Sequence, residues 1–157
     1  MDPTQAPPAP PIPPAVQPAA HRAADIARAI QDRCAATPGI HRAVLLSAGG
    51  LVLCTDAAAP KDDAERLAAL SSSLMSLTKA AAQAYDSGGL GAAVVTMQRH
   101  HLCMAPVDDR TGLVLLADSG TDTGQITYVA AVLAAEISAL LDGETREHLG
   151  RFFLQPG

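Results

Sequence analysis

Apolar positions along the chain fall into short blocks whose period changes from one block to the next. Ile26, Ile30 and Cys34 recur at every fourth residue, with Arg22, Arg28 and Asp32 at positions between or before them. That spacing predicts an amphipathic helix over about residues 21–36, ended by Pro38-Gly39. Two β-rich runs follow, AVLLS (43–47) and LVLCT (51–55), with Gly49-Gly50 between them. A Gly-Gly pair between two such runs supplies the positive φ angles of a tight hairpin. It is not a phosphate loop, which needs G-x-x-x-x-G-K-[ST] opening a helix, whereas Gly50 leads into a strand.

After Pro60 the period lengthens again. DDAERLAALSSSLMSLTKAAAQAY predicts a long helix, about residues 62–86, with Asp62 and Glu65 at capping-box spacing. Leu67, Leu70, Leu74, Leu77 and Ala81 form one apolar stripe on it, and Ser71, Met75, Thr78 and Ala82 form a second, smaller one. Two stripes fit a helix packed on two sides, against its own sheet and against a partner helix; they also fit one wide buried face in a monomer. Gly88 is placed to cap this helix at its C-terminus.

Three more strand-like runs follow, at about 92–98 (AAVVTMQ), 101–107 and 112–118. A last helix is expected over about 123–142, with Asp122 and Gln125 as a second capping box and Ile126, Val129, Leu133, Ile137 and Leu140 as its buried face. Gly143 ends it, and Phe152 and Phe153 are expected to pack back onto the body. The order α-β-β-α-β-β-β-α implies an α/β fold: one five-stranded antiparallel sheet with helices on its faces.

Composition changes this picture at the ends of the chain. Eight of the twelve prolines lie in residues 1–20, a low-complexity tail expected to be disordered or polyproline II. Its PPAPP reads either as a ligand for a proline-binding module or as a solvating leader. The expected organisation is thus a tail over 1–20, a domain over 21–143 and a C-terminal extension over 144–157. The net charge of -5 argues against a nucleic-acid face and against an electrostatic hold on an anionic membrane. No uninterrupted apolar run reaches the length of a membrane span, and the N-terminus lacks the order of a signal peptide. Cys34, Cys54 and Cys103 have no C-x-x-C spacing and are read as reduced, buried thiols of a cytoplasmic protein. The scarcity of Lys beside Arg, Ala and Pro suggests a GC-rich bacterial genome.

Candidate chemistry is thin. His100, His101 and Cys103 are the best metal-ligand set, but adjacent strand residues diverge, and the remaining two do not close a zinc site; no metal or other cofactor is assigned. Ser71, Ser72 and Ser73 lack a nucleophile elbow, Asp108 and Asp109 read as turn residues, and Asp118, Asp122 and Glu136 show no paired spacing. Arg66, Arg99 and Arg110 can be read as arginine fingers for a partner GTPase or as ordinary solvated arginines.

The element order, the hairpin AVLLSAGGLVLCTD and the helix start AERLAALSSSLMSL together resemble the roadblock/dynein light-chain family, nearest its actinobacterial, MglB-like members. The resemblance spans about residues 23–142. Where the family often has Asp-Gly or Asn-Gly before Leu, this chain has Gly49-Gly50-Leu51. The resemblance implies a three-layer, profilin-like sandwich and a homodimer. In that homodimer the third strand pairs with its mate, and the second helices lie side by side. It also implies a non-enzymatic regulator or scaffold for a small Ras-like GTPase, with stimulation of GTP hydrolysis in some members by rearrangement of the GTPase's own residues without an inserted arginine, and a sensor-kinase-like protein as a further partner. Val94, Val95, Met97, Met75 and Thr78 become the dimer candidates. Arg66, Ser73, Ser76 and Lys79 become the GTPase contacts. A PAS- or profilin-like small-molecule sensor is the alternative.

Overall fold

A computed structural model describes residues 8–11 and 17–155. The expectations for the Pro-rich tail fall largely outside these residues. The described elements are, in order, α1 (Ala19–Ala36), β1 (Ile40–Ser47), β2 (Val52–Thr55), α2 (Lys61–Ala84), β3 (Ala93–Thr96), β4 (His100–Asp108), β5 (Thr111–Asp118), α3 (Thr123–Leu140) and α4 (Gly143–Leu154). The expected order holds through α3. The fourth helix, α4, occupies the segment read as an extension. The strands form one antiparallel sheet in the order β2-β1-β5-β4-β3.

The sheet has a layer on each face. Ala43 and Leu45 of β1, Cys103 and Ala105 of β4, and Leu113, Leu115 and Ala117 of β5 point to one side. There they meet Ile26 and Ile30 of α1 and Ile126, Leu133 and Ile137 of α3. The alternate residues Val44, Leu46, Leu102, Met104 and Val114 point to the other side and meet α2. Helix α3 is long and apolar enough to cross a membrane by length and composition, yet its apolar stripe is the core stripe of this domain.

Helix α2 shows which of its two stripes turns inward. Its buried residues are Ala64, Ala68, Ser71 and Met75, so the small-residue stripe faces the sheet. Leu70 and Leu77 of the leucine stripe are 59% and 68% exposed, and Leu67 and Leu74 are half-buried. Small side chains let the helix axis approach closely: a Cβ on Gly112 of β5 would lie 2.6 Å from the Met75 sulfur. Periodicity alone locates two stripes; which one turns inward depends on the space above the sheet.

Several local features differ from expectation. The hairpin needs one left-handed glycine rather than two: Gly50, with φ 83°, is the last residue of a three-residue turn closed by Ser47 N–H to Leu51 O at 2.8 Å. The expected Asp62–Glu65 capping box is absent, because α2 starts directly after Pro60 with no side-chain cap. The neighbouring Asp63 accepts from Arg42 Nε at 3.1 Å. At the other end Asp86, not Gly88, takes the left-handed cap position, at φ 48°. Ser87 N–H donates to Ala82 O and Asp86 N–H to Gln83 O, the two bonds of a Schellman ending. Asp122 does cap α3, accepting from Gln125 N–H at 2.9 Å. Of the two phenylalanines only Phe153 packs against the core, with Lys61 Nζ 5.8 Å from its ring centroid. Phe152 is exposed, since neighbours on a helix point about 100° apart.

A buried arginine fixes α4. Arg22 of α1 is only 5% exposed. Its Nε donates to Thr145 Oγ1 at 2.8 Å, and a terminal nitrogen meets Asp142 Oδ2 at 2.6 Å. Asp142 in turn caps α4, accepting from Thr145 N–H at 2.8 Å. Those Thr145 hydrogen bonds, and then the Arg22 charge, hold the Asp142 carboxyl below its usual value. Arg146 ties the same helix to the β4–β5 turn through Asp108 at 2.5 Å and Thr111 at 3.0 Å.

Candidate functional site

The features open to a partner concentrate on the α2 side of the sheet and along β3. Among the described residues, strand β3 pairs only with β4, so one of its edges carries unpaired backbone groups. Val95 lies opposite Leu102 and therefore shares the α2 face, while Val94 lies opposite Cys103 on the other. Both are nevertheless exposed, at 36% and 39%, and so is Met97 at 43%. On α2, Arg66, Leu70, Ser73 and Leu77 follow one another at helical spacing and are all exposed.

The hydroxyls of this helix add little polarity to its surface. Ser73 Oγ donates to Ala69 O at 3.3 Å, Ser76 Oγ to Ser72 O at 3.0 Å, and Thr78 Oγ1 to Leu74 O at 3.0 Å. Each is turned back onto its own helix backbone, leaving methylene and methyl groups outward. Ser72 Oγ reaches Ala48 O at 2.9 Å and ties α2 to the β1–β2 turn.

The sequence-selected residues divide accordingly. Val94, Val95 and Met97 lie on the bare strand and its turn. Arg66, Ser73 and Ser76 lie on exposed α2, and Lys79 is half-buried near Gly112. Met75 is placed elsewhere: it is buried against β5 of its own sheet, because it belongs to the inward stripe. Thr78 is partly buried beside it. Leu70 and Leu77 of the leucine stripe stand out at the surface. The only signal for them in the sequence is the existence of a second stripe.

The other candidates scatter. His101 points to the α1/α3 side, where its Nε2 donates to Ser119 O at 3.0 Å, while His100 faces the opposite way. Cys103 is buried, and Cys34 and Cys54 are half-buried. Burial pushes the Cys34 and Cys54 thiols up to about 11, so they are protonated and unreactive at neutral pH. Of the acids weighed for catalysis, Asp108 pairs with Arg146, Asp122 caps α3 and Glu136 pairs with Arg33. Arg99 and Arg110 sit at exposed turns.

A five-stranded antiparallel sheet with α1 and α3 on one face, the long α2 on the other and a bare third strand defines the class: a roadblock fold. Residues 26–117, more than half of the chain, match the model of the Roadblock/LC7 domain, and the chain belongs to that family. A Roadblock/LC7 domain from Streptomyces avermitilis is 29% identical, with a TM-score of 0.66 over 71% of this chain and 92% of that one. MglB from Myxococcus xanthus is 15% identical, with a TM-score of 0.67 over 76% of this chain and 92% of that one. The gliding protein MglB from Thermus thermophilus is 20% identical, with a TM-score of 0.65 over 79% of this chain and 91% of that one. The two MglB likenesses are of fold. Comparison with curated proteins gives no match.

Proposed function

We propose that this chain is a non-enzymatic, homodimeric regulatory subunit that binds a small Ras-like GTPase in a bacterial signalling complex. The observation that carries the reading is the bare β3 edge with Val94, Val95 and Met97 exposed beside it. An apolar, unpaired edge is a template for another strand, and a second copy's β3 would close it. Pairing there brings two α2 helices to the same side of a continuous sheet. Leu70 and Leu77 are then available between or upon them, with Arg66, Ser73, Ser76 and Lys79 as the polar contacts for the GTPase. Membership of the Roadblock/LC7 family supports this arrangement.

The first test is association. Val95→Asp should convert a dimer to monomer in light scattering after size exclusion; a dimer unchanged by Val95→Asp and by Val94→Asp would refute the strand assignment. The second is a pull-down from native bacterial lysate, with GDP in one arm and a non-hydrolysable GTP analogue in the other. Enrichment of a small GTPase with the analogue supports an effector or activator, equal enrichment supports a scaffold, and none in either arm overturns the proposal.

A second reading, a small-molecule sensor, has one observation in its favour. An apolar cleft of about 410 Å³ lies between α1, β2 and α4, lined by Ala23, Leu53, Thr55, Leu149 and Phe153. The Thr55 hydroxyl there has no hydrogen-bond partner among the described residues. The volume is within the range of small-ligand sites. Native mass spectrometry of freshly purified protein tests it: a retained small molecule supports the sensor, and bare mass removes it.

A further inference from the structure

We propose that His41, His100 and Asp118 form a binding site for a divalent transition-metal ion of the zinc type, at the end of the sheet where β1, β5 and β4 lie side by side. One ligand atom from each of the three lies within 4.8 Å of the others. The His41 and His100 rings meet nearly edge to face, with centroids 6.0 Å apart. His41 Nε2 is 2.5 Å from Asp118 Oδ1.

The backbone explains why these three converge. His100 and Asp118 are direct cross-strand partners, so their side chains leave the same face about 5 Å apart. His41 would be expected on the opposite face: Ala43 points to the α1/α3 side, and alternation would send residue 41 with it. The ladder between β1 and β5 is irregular at this point, with Ile40 opposite Ala117 but Arg42 opposite Leu116. The extra residue is His41, and this bulge turns it to the α2 face, where Asp118 and His100 already point. The next residue, Arg42, is held away by Asp63 at 3.1 Å and Asp56 at 3.8 Å, and so does not supply the counter-charge for Asp118.

The donor set selects the ion. Two imidazoles and one carboxylate suit Zn²⁺ and its first-row neighbours, whereas Mg²⁺ and Ca²⁺ take oxygen donors. Three protein ligands leave one tetrahedral position open, for water or for a group brought by another molecule. With an ion bound, the metal replaces the proton that His41 Nε2 now donates to Asp118.

The test uses the untagged full chain, titrated with Zn²⁺ by calorimetry and with Co²⁺ as an optical probe. One ion per chain is expected, with a Co²⁺ absorption band displaced by Zn²⁺ and not by excess Mg²⁺. His41→Ala, His100→Ala and Asp118→Asn should each weaken Zn²⁺ binding at least about tenfold. His21→Ala and His148→Ala, exposed histidines on α1 and α4, should leave it unchanged. None of these side chains is fully buried, so circular dichroism should show the fold intact, with His41→Gln as a second, milder variant. Absence of saturable one-to-one binding overturns the proposal. So does equal affinity in the three site variants, or an equal loss in the His21 and His148 controls.

Discussion

The two edges of the sheet are finished in opposite ways. At the β2 edge a whole helix, α4, is laid alongside the strand, with Leu149 buried in the core and Arg22 clamped onto the Asp142 cap. At the β3 edge no described element is laid down, and valines face solvent on both sides of the strand. A lone exposed edge is a liability that proteins usually blunt with charge, proline or a covering element. One edge is closed within the chain, while the other is left in a state suited to closure by another molecule.

Removing the cover from the closed edge should have the largest effect. Leu149→Ala empties a core position between α4 and Leu53 and should cost about 2–4 kcal/mol in urea unfolding. Arg22→Met should follow, at about 1–3 kcal/mol, because it leaves Asp142 and the Thr145 hydroxyl short of a partner. A loss below a few tenths would show that α4 holds without the clamp.

The same clamp has a pH signature. The Asp142 carboxyl is lowered in the folded state, so its contribution is fully present above its unfolded value of about 3.9 and fades as pH falls through the lower, folded value. The stability gap between wild type and Asp142→Asn should therefore be constant near neutrality and shrink in acid; a gap that widens on acidification would contradict the assignment. At the end of α2, Asp86→Gly should stabilise by about 0.5–1 kcal/mol, by relieving a left-handed non-glycine residue. The smallest change in monomer stability belongs to the open edge. Val94→Lys, largely solvated, should shift urea unfolding by less than about 0.5 kcal/mol while still reducing self-association. A large stability loss in a demonstrated monomer would mean that this edge is also closed from within.

Legibility in the sequence follows the range of the interaction. Residues 26, 30, 126, 133 and 137 are readable as core because a helical period is a local property, and the structure buries all five. The Gly50 turn and the Asp122 cap depend on three or four neighbouring residues and are also readable. The Asp62–Glu65 box fails because the helix starts one residue earlier, with Pro60 at the cap position and Asp62 already inside the first turn. Gly88 is the better cap by propensity, yet the chain turns two residues earlier at Asp86. The divergence of His100 and His101 is legible from strand alternation, whereas the grouping of His100 with His41 and Asp118 from other strands is not.

By itself, the sequence determined the elements through α3, their order, the two stripes on α2 and the family, because periodicity, turn chemistry and motif order are written in short segments. Only the tertiary structure decided which stripe of α2 meets the sheet, which edge α4 covers and which face His41 joins. Those outcomes depend on how closely a helix can approach a strand, on an arginine reaching a residue far along the chain, and on one extra residue in a ladder. None of these has a local signature, since each is fixed by packing between segments that meet only when the chain is folded.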